Sequence, residues 1–239
     1  MCLLMHAKLM HTSLSKEATA EQQFKMRLVR TSNVLLFLSL ILWLFAIGAG
    51  LRQLFNYEAS PGRSGATPTV WPADSQLPRT SELPTLVMMI HPHCPCSRAS
   101  IGELALLMTR VQGRVNVNVM FVKPKDFPEA WEQTDLWSSA AMIPGVKVRV
   151  DEGGVEAQRF GSQTSGQIML YSTDGRLLFS GGITVARGHA GDNDGRSAIV
   201  ALLTNNSSEI RETPVFGCPI FGQTSNAQPK DSCHAIHSN

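Results

Sequence analysis

Between Arg30 and Arg52 the chain runs for 21 residues without a charge, TSNVLLFLSLILWLFAIGAGL (31–51), and apolar residues fall on every face of the helix this predicts. At about 1.5 Å per residue such a helix spans roughly 30 Å, the thickness of a bilayer's hydrocarbon core. An amphipathic core helix does not fit that pattern. Downstream the pattern changes to short runs. LPTLVMMIH (83–91) is continuously apolar, as expected of a strand buried on both faces. Ile101, Leu104, Ala105, Met108 and Val111 fall at helical spacing, and Gly113 ends that helix. RVNVNVMFVK (114–123) alternates as a strand does. Residues 126–142 read as a helical crossover carrying Trp131 and Trp137, VKVRV (146–150) as a strand and 152–161 as a short helix or turn. QIMLYSTDGRLLFSGG (167–182) predicts two strands around the Asp174-Gly175 turn. GRSAIVALLT (195–204) supplies a last helix.

Strands alternating with helices imply an α/β fold: a mostly parallel sheet, helices on both faces and the hairpin as an antiparallel edge. Residues 56–82 are rich in Pro, Ser, Gly and Thr, a composition that reads as solvated linker. The expected organisation is an N-terminal segment (1–30), a transmembrane anchor (31–51), a flexible linker (52–82), the α/β domain (83–205) and a cysteine-containing tail (206–239). Lys16, Lys25, Arg27 and Arg30 precede the apolar run. The positive-inside rule therefore places the N-terminus in the cytoplasm and the domain outside the cell membrane. A cleaved signal sequence is the alternative, with AIGAG (46–50) as a cleavage region and Met26 as an alternative start, but the run is long for one.

A formal charge of +2 and the lack of any dense Lys/Arg block argue against nucleic acid as a partner. The orientation gives the cysteines a context. Cys94, Cys96, Cys218 and Cys233 fall on the side where disulfides persist, and Cys2 on the other. Proximity suggests Cys94 with Cys96 and Cys218 with Cys233, although four cysteines allow three pairings.

HPHCPCSRAS (91–100) concentrates the chemistry. In a redox reading, Cys94 is the nucleophile just before a helix beginning near Ser97, where orphan amides favour a thiolate. His91 and His93, if protonated, favour it further. Cys96 resolves the mixed disulfide, and Ser97 donates a hydrogen bond. A Cys-x-Cys disulfide closes a small ring that Pro95 restricts further, which makes it easily reduced. Ser100 and Glu103 also match a capping box, which would start the helix at Ile101 and leave the cysteines a turn upstream. In a metal reading, His91, Cys94, Cys96 and His189 supply ligands suited to copper(I) or zinc. In a third reading the cysteines form an inert disulfide within a tethered binding module.

The remaining residues of interest have plainer expectations. Residues 181–196 read as a turn-rich solvated loop, with Arg187 and His189 as its candidates for bordering the cysteines. Trp131, Trp137, Met88 and Met89 read as packing residues. Cys218 has a sharper alternative to Cys233, a resolving role toward Cys94 or Cys96. His234 and His237 lie in the polar tail and carry no role.

The stretches HPHCPCSRAS, FGSQTSGQIMLYSTDGRLLFSGGIT, RGHAGDN and TPVFGCPIF, spread over about residues 83–222, resemble a group of bacterial membrane-anchored thioredoxin-like proteins named RedB, related to the TlpA-type reductases. The resemblance implies a thioredoxin-like fold. The cysteine pair itself points to thiol-disulfide exchange with protein thiols or disulfides, and with no dinucleotide, flavin or haem site visible and so no cofactor expected, electrons would come from a redox partner protein. Two departures stand out. The superfamily pattern is Cys-x-x-Cys, and here Ser97 stands where its second cysteine falls. The superfamily's cis-proline would fall at about Gly166.

Overall fold

The computed structural model describes residues 2–63, 65–205 and 207–222, and only the backbone of residues 2–29 and Thr31. The chain forms two compact units, residues 1–56 and 57–239. In the first, helix α1 (Cys2–Ala59) begins and runs on without a break. Its stretch Ser32–Ala59 is long and apolar enough to cross a membrane. Successive side chains Val34, Leu35, Leu36, Phe37 and Leu38 are all exposed, so the helix has no polar face to turn toward water. The helix continues past Leu51, where the apolar run ends.

The second unit is built on a five-stranded sheet of order β3-β2-β1-β4-β5. Its strands are β1 (Thr85–Ile90), β2 (Asn116–Lys123), β3 (Val146–Glu152), β4 (Gln167–Tyr171) and β5 (Leu177–Gly181). β1, β2 and β3 are parallel, while β4 and β5 run antiparallel, joined by the expected hairpin with Gly175 at φ +86°. Every residue of β1 is buried, because both faces of the sheet are covered.

The two faces are covered differently. Leu86, Met88 and Ile90 of β1 pack with α2 (Ser97–Val111), α3 (Asp135–Ala141) and α5 (Asp194–Asn205) through Leu104, Leu107, Leu136, Ile199 and Leu202. Val87 and Met89 face the other way, onto a second cluster with Met120, Met169, Tyr171 and Phe160, beside the short α4 (Val155–Arg159). Met88 and Met89 are thus both packing residues, one in each core.

That second face also draws on the stretch expected to be solvated linker. Trp71 packs edge-on against Phe160 and Tyr171, and Leu77 is buried. The Trp71 N–H donates to Gly175 O at 2.8 Å and the Leu177 N–H to Thr69 O at 2.8 Å, so residues 69–71 lie along the hairpin. Ser75 Oγ donates to Glu156 Oε2 at 2.6 Å, and the Gln76 N–H to Glu156 Oε1 at 3.0 Å. Residues 69–77 are therefore a strap on the domain. A sheet face with Met89, Met120 and Tyr171 on it needs an apolar cover, and α4 is too short to provide it alone.

The capping-box expectation at Ser100 and Glu103 is also corrected. α2 starts at Ser97, with Cys96 in helical geometry at its cap. Glu103 faces inward and pairs with Arg196 of α5, with side chains 1% and 10% exposed. Glu103 further accepts from the Gly191 N–H at 2.7 Å and from Asn193 Nδ2 at 3.2 Å. The RGHAGDN loop is thus moored from below by a buried carboxylate. A buried charge demands such partners, and here they decide where the loop sits.

Candidate functional site: three converging thiols

β1 ends at Ile90, and the chain turns twice before α2. The Cys94 N–H donates to His91 O and the Ser97 N–H to Cys94 O, each at 3.1 Å. This places Cys94 one turn upstream of the helix, wholly buried, and Cys96 at its cap, 9% exposed. The Sγ atoms of Cys94, Cys96 and Cys218 all lie within 4.8 Å of one another. All three are free thiols. The expected Cys94–Cys96 disulfide is therefore not formed. The pairing of Cys218 with Cys233 falls on a residue outside the described ones, as do His234 and His237.

Cys218 arrives from the tail by a specific route. After α5 the chain returns along β5, where the Ser180 N–H donates to Arg211 O at 3.0 Å. It then runs beside the 163–165 loop: the Ser165 N–H donates to Cys218 O at 2.8 Å and the Ile220 N–H to Gln163 O at 2.9 Å. Gly217 permits the approach, since a Cβ there would lie 1.9 Å from Ser165 O. Arg187 donates through Nη1 to Gly217 O and through Nε to Ser60 O at 3.1 Å, which ties the tail to the start of this unit. Val215 and Ile220 are buried and anchor the segment by apolar contact.

The same loop braces the cysteine turn from beneath. Ser165 Oγ accepts from the His91 N–H and shares a hydrogen bond with Ser97 Oγ, both at 2.7 Å. Gly166, at the place expected for a cis-proline, has φ +91° and donates its N–H to Met89 O at 2.7 Å. A Cβ there would lie 2.9 Å from Ser100 Oγ, so glycine answers both the backbone angle and the space. The chain contains no cis peptide among the described residues.

The electrostatics single out Cys94. Contacts from the Cys218 side chain, then from Cys96 and Ser97, hold the Cys94 thiol far below its ordinary range in spite of burial, and the Cys218 N–H reaches its Sγ at 3.3 Å. The Cys218 contact lowers the Cys96 thiol too, but the Cys94 contact and burial outweigh it and push that thiol up. Cys218 is pushed up by Cys94, by Cys96 and by burial. One sulfur thus takes the charge and two keep their protons. The leading contributors are sulfur and hydroxyl groups, where the sequence had suggested the histidines and the helix terminus.

His91, His93 and His189 sit elsewhere. His93 is exposed, and its ring lies against Trp131 with centroids 4.5 Å apart. His91 accepts from the His93 N–H at Nδ1, 3.2 Å away, and stacks edge-on with Trp131. Phe127 completes this aromatic group beside the site. Trp131 is therefore a site-border residue, whereas Trp137 packs on Phe121 as expected of a core residue. His189 is exposed and hydrogen bonded to Arg187 O at 2.9 Å. The grouped sulfurs include neither His91 nor His189, so the ligand set expected from the sequence is not assembled, and Cys218 takes the place of the histidines.

No family model matches the sequence, and no curated protein does. Solved structures do resemble it. A hypothetical protein of Sinorhizobium meliloti 1021 shares 22% identity at a TM-score of 0.50, over 67% of this chain and 93% of that one. An uncharacterized conserved protein of Geobacillus kaustophilus shares 18% at 0.50, over 70% and 95%. A secreted Mycobacterium tuberculosis disulfide oxidoreductase homologous to E. coli DsbE shares 13% at 0.39, over 53% and 83%. The sheet order, the antiparallel hairpin edge and the cysteines placed between the first strand and the first long helix of the domain make this a thioredoxin-like fold.

Proposed function

We propose that this chain is a membrane-anchored, extracytoplasmic thiol-disulfide oxidoreductase of the RedB group, with Cys94 as its nucleophile and Cys96 as a resolving thiol. The observation that carries the reading is the convergence of the Cys96 and Cys218 sulfurs on buried Cys94, with the Cys218 N–H 3.3 Å from its Sγ, an arrangement that favours the thiolate at Cys94. A thiolate is the species that attacks a disulfide, and the protonated thiol that then resolves the mixed disulfide supplies the proton for the partner thiolate it releases. Cys94 attacks a partner sulfur, a mixed disulfide forms and the partner thiolate leaves. A second thiol of the chain then attacks Cys94 Sγ and releases the partner. Ser97 steadies the thiolate, and His93 with Trp131 borders the approach. The apolar helix would hold the domain at the cell membrane with its N-terminus in the cytoplasm, and electrons would pass to or from a redox partner protein.

The test is exchange with a model disulfide by the full chain. Cys94→Ser should abolish it, and His189→Ala should leave it unchanged. Exchange that survives Cys94→Ser would sink the reading.

The sulfur triangle favours a second reading. Three soft donors within 4.8 Å of one another suit copper(I), which takes two or three thiolates. Stoichiometric copper(I) binding by the reduced chain, lost in Cys218→Ala and kept in His189→Ala, would establish it. No uptake would remove it.

A further inference from the structure

We propose that Cys218 is an in-chain resolving thiol for Cys94, and that the segment carrying it, residues 217–220, acts as a strap that lifts to admit a partner and returns to release it. This rests on the redox reading above and adds a residue and a moving part to it. Four observations meet here. Cys94 is wholly buried, so a partner sulfur reaches it only if something moves aside. Cys218 lies against it, with its N–H 3.3 Å from Cys94 Sγ. The segment has no helix or strand of its own and is held by two backbone hydrogen bonds to residues 163–165, the Arg187 contact to Gly217 O and the buried Ile220 side chain, which leaves Cys218 itself between anchors. The three sulfurs, within 4.8 Å of one another, need only a short approach to reach the bond length of about 2.05 Å.

Geometry favours Cys218 over Cys96 for the first internal disulfide. Cys94 and Cys96 are separated by Pro95 alone, and Cys96 is committed to helical geometry at the α2 cap, with φ −65° and ψ −29°. A bond between them closes a small, strained ring and disturbs the helix start. Cys218 comes from an independent segment, so its sulfur can approach without disturbing α2. Cys96 then remains as a third thiol that can take over the bond by exchange.

The step balances. The Cys94 thiolate attacks a disulfide R–S–S–R, the S–S bond breaks and one R–S⁻ leaves with a proton from solvent. Cys218, on losing its proton, attacks Cys94 Sγ, the bond from Cys94 to the partner breaks and the second R–S⁻ leaves and takes that proton. Two cysteines are oxidised to one disulfide, and one disulfide is reduced to two thiols.

The experiment uses the reduced full chain and oxidised glutathione, with intact mass and peptide mapping over time. The Cys96→Ser/Cys218→Ala double variant should stop at a glutathione adduct on Cys94. If the wild type forms neither adduct nor internal disulfide, the redox reading fails and this proposal with it. If the adduct forms, the single variants decide the assignment. The wild type and Cys96→Ser should both give a Cys94–Cys218 disulfide without lasting adduct, whereas Cys218→Ala should accumulate adduct. Resolution in Cys218→Ala as fast as in wild type would overturn the assignment and leave the redox reading intact. So would mapping of the first wild-type disulfide to Cys94–Cys96 or Cys218–Cys233.

Discussion

The Cys218 N–H lies 3.3 Å from Cys94 Sγ across 124 residues of sequence. A buried thiolate needs donors, and here a tail segment brings one that the start of α2 does not. Cys94 and its surroundings are therefore one unit made from three places: the turn after β1, the 163–165 loop and the tail.

The first prediction concerns charge. The contact from the Cys218 side chain is the leading cause of the lowered Cys94 thiol, so Cys218→Ala should raise it toward the ordinary value of about 8.5. A lowered value keeps the thiolate present as pH falls. Thiolate ultraviolet absorbance in the wild type should thus persist into the acid range, and in Cys218→Ala it should fade at distinctly higher pH, toward the ordinary thiol range. Above the ordinary thiol range the difference in Cys94 ionisation should close. Identical titrations of the two proteins would contradict the assignment.

Gly217→Ala tests the strap more gently. The added Cβ would lie 1.9 Å from Ser165 O, a backbone atom that cannot step aside. The tail must shift, at a cost of about 1–3 kcal/mol as for other overpacked sites. The expected result is faster alkylation of Cys94 and Cys218 with the circular dichroism of the domain unchanged. Unchanged alkylation would mean that the segment does not shield the site.

How much of this the sequence carried differs from residue to residue. The continuous apolar run 85–90, the spacing from Ile101 to Val111 and the Asp174-Gly175 turn are local signals, and the structure places β1, α2 and the hairpin on them. The convergence of Cys218 is not local. Its trace in the sequence is the apolar stretch PVFGCPIF (214–221), whose Val215 and Ile220 anchor the segment on either side of Gly217 and Cys218. The strap at 69–77 was hidden for a related reason: a composition dominated by Pro, Ser and Thr outweighs Trp71 and Leu77, yet a few large apolar side chains suffice to bind a segment to a sheet. Ser100 and Glu103 show the reverse error. A capping box and a helix residue bound for a distant arginine look alike until the arginine is in place.

The Glu103–Arg196 pair offers a stability test away from the cysteines. Arg196→Met would leave a carboxylate that is 1% exposed with only the Gly191 N–H and Asn193 Nδ2 to stabilise it. Breaking a buried pair from one side costs about 3–5 kcal/mol. The midpoint of denaturant unfolding should fall accordingly. The double variant Glu103→Gln/Arg196→Met should recover part of the loss, because the stranded charge is gone. A single variant as stable as the wild type would show that the pair is not what moors the RGHAGDN loop.

Trp71→Ala separates a strap from a linker. Trp71 meets Phe160 at 5.0 Å and Tyr171 at 5.3 Å between ring centroids, both edge-on, over the second core. Removing a packed tryptophan costs about 3–5 kcal/mol when it is fully buried, and Trp71 is partly exposed, so a loss near the lower end is expected. A solvated linker residue would cost almost nothing. The site should respond as well, because Phe160 precedes the 161–165 turn whose Ser165 holds both the His91 N–H and Ser97 Oγ. The decisive measurement is the pair of readouts together, unfolding free energy and the rate of exchange at Cys94. A variant that loses stability and slows exchange would couple the strap to the cysteine turn. One that loses stability alone would confine its role to covering the sheet.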